Sequence, residues 1–301
     1  MPTRTLATTG LTGTVGAIDR RLTVHTTTVI LFWTSFAGLC LSYLGYPLLV
    51  YCLARRRPRA GPPPADLAPA DWPELTVLIA AHNAQQHSGQ RIRNILACDY
   101  PRDRLRIVVA SDGSTDATVP EVQRFDPAQV QAIAFRRRRG KATTLADAVR
   151  QLRSEVVVFT DASSRFDRRS LRQLARHFAD PRIGLVAGTV TIVDEEGQPR
   201  ESLYWRSEMM VRRSEAQLGI MLGASGAIYA MRRQLFEEPA CPLINDDLVF
   251  SLLTHLRHAC GFVFDDSACA YALSTGGLAS EFRRRSRIGA GAFQCLPHLG
   301  E

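Results

Sequence analysis

Short apolar runs alternate with amphipathic segments along residues 75–161. The run at Val156–Phe159 holds three β-branched residues and a Phe without any charge, which predicts a strand buried on both faces, as in a parallel sheet. The alternation gives four β-α units, so it predicts an α/β fold with a mostly parallel, doubly wound sheet. The predicted strands are Leu75–Ala80, Leu105–Ala110, Val130–Phe135 and Val156–Asp161, and the predicted helices are Gln90–Ala97, Val119–Phe125 and Ala142–Leu152.

The regular alternation weakens after the fourth unit, and the sequence holds no internal repeat. A length of 301 residues suffices for one large domain or two small ones. The further predicted elements are a strand at Leu185–Ile192 and helices at Trp205–Leu218, Asp247–Leu256 and Glu281–Phe293.

The N-terminal region contains 25 uncharged residues, Val29–Leu53, enough to cross roughly 30 Å of hydrocarbon as a helix. The basic cluster Arg55–Arg57 follows directly and indicates the cytoplasmic side, although a buried helix of a soluble protein is the alternative. Residues 58–73 are rich in Pro and Ala and predict an extended linker. The predicted organisation is a poorly ordered tail at 1–28, a membrane helix at 29–53, a Pro-rich linker at 54–73 and an α/β domain at 74–301.

A hydrophobic content of 46% and a charged content of 22% are typical of a globular chain and exclude a disordered one. The net charge of +8 favours anionic partners: nucleic acid, a phospholipid surface or a phosphorylated small molecule. Lys141 is the single lysine of the chain. The seven cysteines lack the C-x-x-C spacing of a zinc site, so we interpret them as reduced, mostly buried thiols of a cytosolic domain.

Polar residues follow two of the predicted strands. Asp161 ends one strand, and the carboxyl ends of parallel strands are where ligands bind in open α/β sheets. Asp112 follows another strand in a Ser-Asp-Gly-Ser turn. Both positions suit turn or capping duties as well as ligand binding. The basic loop Arg136–Lys141 precedes a predicted helix, where phosphate is favoured, with a solvated charge run and a nucleic-acid patch as alternatives.

Seven segments occur in the order found in one enzyme family: VLIAAHN (77–83), DYPRDRLRIVVASDGSTD (99–116), RRGKATTLADAV (138–149), VVVFTDASS (156–164), GASGAIYAMRR (223–233), NDD (245–247) and FRRRSRIGAG (282–291). Over residues 75–293 the chain resembles membrane-anchored glycosyltransferases of family 2, the group that includes cellulose, hyaluronan and poly-N-acetylglucosamine synthases. The resemblance implies a GT-A fold, a nucleotide-sugar donor that we expect to be UDP-linked, a divalent metal and inversion at the anomeric carbon.

On the donor side, the resemblance implies that Asp112 contacts the uracil edge and that Ala80, His82 and Asn83 lie near the nucleotide. Ala84 replaces the family's usual acidic residue. Lys141 is expected to contact the donor phosphates.

The family's D-x-D motif falls on Asp161 and Ser163, so the second Asp is a Ser in this chain. We therefore expect Mg²⁺ or Mn²⁺ to be held by Asp161, with Ser163 beside it, and by phosphate oxygens of the donor.

On the acceptor side, Asp246 and Asp247 match the family's acidic pair. We expect Asp247 to be the general base, while Asp246 caps a helix or positions the acceptor. Gly226 lies in the glycine-containing segment where an acceptor sugar is expected. Arg284 and Arg287 fall in the segment that reads Q-x-x-R-W in polymerising relatives; Arg284 replaces the Gln, Ile288 replaces the Trp, and processive synthesis is therefore not predicted.

The sequence therefore predicts an inverting glycosyltransferase, anchored in the inner membrane by one helix, with a cytoplasmic catalytic domain and a polysaccharide, glycolipid or other glycan as acceptor. A second hypothesis is a catalytically weak relative that binds nucleotide-sugar and assists a partner synthase. A nucleic-acid binder is disfavoured because no aromatic platform or recognition motif is present. No apolar run follows before Glu301, which leaves open a truncated chain or one without a translocation channel.

Overall fold

A computed structural model describes residues 11–57, 67–194, 196, 198, 203–221, 223–238, 244–273 and 278–295. The chain divides into two compact units, Met1–Arg56 and Arg57–Glu301. The predicted boundaries at 28, 53 and 73 stay predictions.

The first unit is helical throughout its described part. Helix α1 covers Leu11–Cys40, a π-helical turn covers Leu41–Gly45, and helix α2 covers Tyr46–Arg55. By length and composition, one segment of the described chain is able to span a membrane: His25–Arg55, with a mean hydropathy of 1.6.

Residues 11–28 of the predicted tail belong to helix α1. The segment Leu11–Thr28 contains no Pro, and its Thr and Gly residues lower helix propensity without stopping a helix. Residues 1–10 lie outside the described part.

In its described part, the second unit is built on one sheet of eight strands. The strands are β1 (Leu75–Ala81), β2 (Leu105–Asp112), β3 (Val130–Phe135), β4 (Val156–Asp161), β5 (Arg165–Phe166), β6 (Ile183–Val193), β7 (Tyr229–Arg232) and β8 (Gly261–Leu273). Their order in the sheet is β3-β2-β1-β4-β7-β6-β8-β5. Strands β7 and β5 are antiparallel to their neighbours and the others run in parallel, so the predicted mostly parallel sheet is confirmed.

Helices cover both faces of this sheet. They are α3 (Gln85–Leu96), α4 (Thr118–Val122), α5 (Lys141–Val149), α6 (Ser170–Ala175), α7 (Leu203–Leu218), α8 (Asp246–His258) and α9 (Leu278–Cys295). Side chains alternate along the central strand β1. Val77 and Ile79 pack into the core that contains Ile92 of α3, whereas Leu78 packs into the core that contains Leu145 of α5 and Phe250 of α8. The doubly wound arrangement follows from this alternation.

Four elements of the second unit were not predicted: β5, β7, β8 and α6. Strand β8 is thirteen residues long, but the pair Asp265–Asp266 interrupts its apolar pattern and imitates a loop. Strands β5 and β7 have only two and four residues, too few for a periodic signal. Their place in the sheet is decided by partners distant in sequence.

The Asp265 carboxylate is buried in the middle of β8 and accepts hydrogen bonds from three residues, including both the backbone N–H and the hydroxyl of Ser267. Arg176 Nη2 and His177 Nε2 each lie 2.7 Å from its Oδ2, and Ser267 donates its backbone N–H to Oδ1 at 3.0 Å. Burial raises the pKa of Asp265, but the bonds from His177, Ser267 and Arg176 outweigh burial and hold the pKa well below its usual range.

We expect Asp265→Asn to lower the free energy of unfolding by about 3–5 kcal/mol at pH 7, because it leaves the largely buried guanidinium of Arg176 without its charge partner. A lowered native pKa stabilises the fold above the unfolded value of about 3.9 and ceases to do so as pH falls further. The difference between wild type and variant, measured by urea denaturation, should therefore shrink below about pH 4.

Asp266→Asn is the matched control. Asp266 is the exposed neighbour that pairs with Arg213, and its loss should cost less than about 1 kcal/mol. Equal destabilisation by both variants, or a constant difference from pH 7 to pH 3, contradicts the role given to the buried ion cluster.

Candidate functional site

Three neighbouring strands bring the predicted site residues to one edge of the sheet. Ala80, at the end of β1, pairs in register with Ala110 of β2 on one side and with Asp161 of β4 on the other. Asp112 ends β2 on the same edge. Because parallel strands end on the same side, the loops that follow β1, β2 and β4 form one continuous rim.

Asp112 holds the basic loop in place. Its side chain is buried, Oδ1 accepts the backbone N–H of Arg139 at 2.7 Å, and Oδ2 accepts that of Gly140 at 2.9 Å. Gly140 has φ +94°, a conformation that favours glycine, and α5 begins at the next residue, Lys141. The carboxylate thus fixes where this helix starts.

His82 and Asn83 tie the loop after β1 to the loop after β2. His82 Nδ1 lies 2.8 Å from the carbonyl oxygen of Asp112 and must carry the proton, because a carbonyl only accepts. Asn83 has φ +49°, and its Oδ1 accepts the backbone N–H of Thr115 at 2.9 Å. His82 and Asn83 therefore have a structural role, which is to hold these two loops together.

Lys141 joins the ends of two elements that lie far apart in sequence. Its Nζ lies 2.9 Å from Asp161 Oδ1 and 3.1 Å from Asp246 Oδ2. Burial lowers the pKa of Lys141, but Asp246, Asp161 and Asp247 outweigh burial and raise it above its ordinary value. Burial raises the pKa of Asp246 to about 6, while Lys141 acts in the opposite direction. The ammonium therefore stabilises a carboxylate that is only 8% exposed.

Asp247 lies beside this ion cluster but contacts backbone amides. Its Oδ2 accepts the N–H of Gly226 at 2.6 Å, and its Oδ1 accepts the N–H of Leu248 at 2.9 Å. A Cβ atom on Gly226 would lie 3.1 Å from Asp247 Oδ2 and 3.2 Å from Lys141 Nζ. Glycine at this position lets the backbone approach both charges.

The carboxylates fit a divalent cation that the substrate helps to bind. Asp161 is 43% exposed, and the buried Asp246 Oδ2 lies 3.1 Å from the Lys141 ammonium, which compensates its charge. Within the described ranges, no three His, Cys, Asp or Glu residues form a complete metal cage. Magnesium commonly takes one or two carboxylates and completes its shell with water and substrate phosphates. Ser163 is exposed on the turn after β4.

Buried polar residues flank β4 on both faces of the sheet and were missed by sequence reasoning. Arg91 of α3 is buried, donates to Thr160 Oγ1 at 2.7 Å, and lies 4.0 Å from the ring centre of Phe166. Burial lowers the pKa of Arg91 to about 9. Tyr229 of β7 stacks on Phe159 with ring centres 4.7 Å apart. An Arg on the apolar face of a predicted helix was the available signal for Arg91.

Helix α9 packs against the segment that precedes the acidic pair. Asn245 donates through Nδ2 to the carbonyl oxygen of Ile288 at 2.8 Å. A Cβ atom on Gly291 would lie 2.6 Å from Asn245 Oδ1, so a glycine permits this approach. Arg287 and Ile288 are exposed on α9. Arg284 belongs to the same helix, and its side chain is outside the described part.

The family model and the curated relatives that this chain matches agree on one enzyme family. The family model described as Glycosyl transferase family 2 matches residues 76–238. The β-monoglucosyldiacylglycerol synthase of Synechocystis sp. is 26% identical over 149 residues, 48% of this chain and 31% of that protein. The poly-β-1,6-N-acetyl-D-glucosamine synthase of Staphylococcus aureus is 22% identical over 230 residues, 74% of this chain and 55% of that protein. The chain thus spans about half or less of the length of these relatives.

Two solved structures share the fold. The mannosyltransferase PcManGT from Pyrobaculum calidifontis, in complex with GDP-Man and Mn²⁺, superposes with a TM-score of 0.68 at 26% identity, covering 84% of this chain and 72% of that one. GalNAc-T7 with UDP, GalNAc and Mn²⁺ gives a TM-score of 0.53 at 13% identity, covering 68% of this chain and 44% of that one. The expected GT-A fold is confirmed.

The bonds from Asp112 to the basic loop generate a prediction. Asp112→Ala removes both acceptors, and each bond to a charged group is worth about 1.5–3 kcal/mol, so trypsin should cleave after Arg136–Arg139 about tenfold faster or more. The measurement is limited proteolysis of the full chain in detergent, with fragments identified by mass spectrometry. Asp126→Ala, in an exposed turn, serves as control and should leave cleavage in this loop unchanged. Unchanged cleavage in Asp112→Ala would mean that other contacts hold the loop.

Proposed function

Because the chain belongs to glycosyltransferase family 2, we propose that it transfers a hexose or N-acetylhexosamine, with inversion, from a UDP-linked sugar to a polysaccharide, glycolipid or other glycan acceptor. The observation that carries this proposal is the convergence of Lys141, Asp161, Asp246 and Asp247 at the carboxyl edge of the sheet. These groups suit the three requirements of the reaction: a grip on a diphosphate, neutralisation of its charge and a base for a hydroxyl.

Asp161, with Ser163 beside it, would hold Mg²⁺ or Mn²⁺ together with the donor's diphosphate oxygens. The metal supplies positive charge that stabilises the departing diphosphate. The Mn²⁺ in the mannosyltransferase and GalNAc-T7 structures supports this assignment. Lys141 and the basic loop before it bind the phosphates from the start of α5, where backbone N–H groups also favour an anion.

The nucleotide base is assigned to the rim formed by Ala80, His82, Asn83 and Asp112. The Asp112 carboxylate already accepts two backbone N–H groups, and its remaining lone pairs are able to accept an N–H of uracil. His82 fixes the adjacent backbone of the same strand end. The donor base and the basic loop are thus coupled through one carboxylate.

In the transfer step, the acceptor hydroxyl oxygen attacks the anomeric carbon on the face opposite the diphosphate. The new C–O bond forms as the bond from that carbon to the phosphate oxygen breaks, and the nucleoside diphosphate leaves. Asp247 takes the hydroxyl proton. The N–H of Gly226 orients its Oδ2, and Asp246 positions the acceptor from the first turn of α8.

The acceptor is assigned to the side of the site near Gly226 and α9, where Arg284 and Arg287 are available to bind phosphate or sugar hydroxyls. The two curated relatives are named for a glycolipid and a polysaccharide product, which supports a glycan or lipid-linked acceptor. Ile288 offers no aromatic ring for sugar stacking, so the proposal does not include processive synthesis.

The test is a transfer assay with the full chain in membranes, across a panel of UDP- and GDP-sugars, with Mg²⁺ or Mn²⁺. Asp247→Asn should lower the rate by about 10²–10⁴, because it removes the basicity while keeping the size of the side chain. Asp246→Asn is the matched control and should be milder, with UDP affinity little changed in the Asp247 variant. Full activity of Asp247→Asn would exclude it as the base. Donor binding without turnover in the wild type would favour the weak, synthase-assisting relative.

The same proposal places the catalytic domain on the cytoplasmic face of the inner membrane, anchored by the single segment His25–Arg55. The length and hydropathy of this segment and the Arg cluster at its end support the anchor. The full chain should stay with membranes after an alkaline carbonate wash, and a chain that begins at Asp71 should be released. Release of the full chain by the wash would contradict an integral anchor.

A further inference from the structure

The Lys141 ammonium occupies the space in which the acidic residues of the site meet. It lies 2.9 Å from Asp161 and 3.1 Å from Asp246. Asp247 is close by: a Cβ atom on Gly226 would lie 3.1 Å from Asp247 Oδ2 and 3.2 Å from the ammonium. One positive charge therefore stands against three carboxylates. The cation that contacts Asp161 and Asp246 is thus a side chain of the protein itself.

The identity of this side chain is informative in such an arginine-rich protein. Lysine and arginine together number 37, and Lys141 is the single lysine. Lysine presents a compact point charge on a flexible stem, whereas arginine presents a wide planar fork. A Cβ atom on Gly226 would lie 3.2 Å from Nζ, so the cradle fits an ammonium group closely. Of the two basic side chains, lysine is also the closer analogue of a small metal ion.

We propose that Lys141 is a built-in counter-ion of Asp161 and Asp246 that competes with the divalent metal for Asp161, so that metal and nucleotide diphosphate bind together and only weakly one at a time. The inference rests on the proposed function, since it assigns Asp161 to the metal and Lys141 to the diphosphate. It adds that one lysine holds two alternative positions, on the carboxylates without donor and on the phosphates with donor.

Charge repulsion gives this competition its direction. A divalent cation placed on Asp161 while the ammonium remains 2.9 Å from the same carboxylate experiences strong repulsion in a half-buried site. A nucleoside diphosphate brings negative charge that binds the displaced ammonium and supplies oxygens to the metal. Lys141 also keeps the buried carboxylate of Asp246 compensated while no metal is bound.

The test measures Mn²⁺ binding by the full chain in detergent, from the electron paramagnetic resonance signal of free Mn²⁺, with and without UDP. Wild type should bind Mn²⁺ weakly alone and much more tightly with UDP. Lys141→Met should bind Mn²⁺ without UDP about tenfold more tightly or better, because the competing charge is gone, and should gain less from UDP. Arg150→Met, which removes a charge at the far end of the same helix, is the control and should behave as wild type.

A second measurement uses the unmodified protein, in case the variant fails to fold. Because Lys141 is the single lysine, ¹³Cε-lysine labelling gives one side-chain methylene signal. Adding Mg²⁺ together with UDP should shift this signal, while adding Mg²⁺ alone at the same concentration should shift it little.

Two results overturn the inference: Lys141→Met binding Mn²⁺ alone no better than wild type, or a lysine signal that is insensitive to Mg²⁺ with UDP. Neither readout depends on sugar transfer. An inactive protein that still shows the competition contradicts the proposed transferase activity and leaves the counter-ion role intact.

Discussion

A single ammonium group allows three carboxylates to meet at the end of the sheet. Asp161 ends β4 and Asp246 begins α8. Their two carboxylates repel each other, and the ammonium of Lys141, at the start of α5, contacts both and offsets the repulsion. The ammonium therefore joins three elements at their ends. Its own position depends on Asp112, whose carboxylate fixes the backbone of Arg139 and Gly140 immediately before the helix. Asp112 thus positions Lys141, and Lys141 in turn positions Asp161 and Asp246.

The sequence predicted well the part of the fold in which local pattern and tertiary environment agree. Strands β1, β2 and β4 are apolar and largely buried, and the edge strand β3 is apolar although only Val130 in it is buried, so the limits of all four were found within two residues. Strand β8 was not predicted because Asp265 breaks the apolar pattern. The burial of Asp265 is explained by Arg176 and His177, which bind its carboxylate and lie nearly ninety residues earlier in the sequence. The pattern of apolar residues along a sequence predicts a buried strand reliably only when the buried side chains are themselves apolar.

The sequence predicted which residues belong to the candidate site but not which of them contact each other. Motif order selected Lys141, Asp161, Asp246 and Asp247, and the structure brings these four together. The ion pairs of Lys141 were not foreseen, because they depend on where β4 and α8 end in space. The bonds of Asp112 depend on the positive φ of Gly140, which no spacing rule supplies. Arg91 stayed hidden because its partner Thr160 belongs to a strand that reads as apolar.

The π-helical turn at Leu41–Gly45 changes how the apolar helix before the linker should be drawn on a helical wheel. Tyr46 donates its N–H to the carbonyl oxygen of Leu41, five residues back, and Pro47 follows without an N–H to offer. One extra residue in a turn advances the angular phase of everything after it by about 100°. A stripe traced along α1 therefore continues on α2 about a quarter-turn away, and an uninterrupted wheel would mix two different faces. Substitutions meant to alter one side of this helix need separate numbering on either side of Gly45.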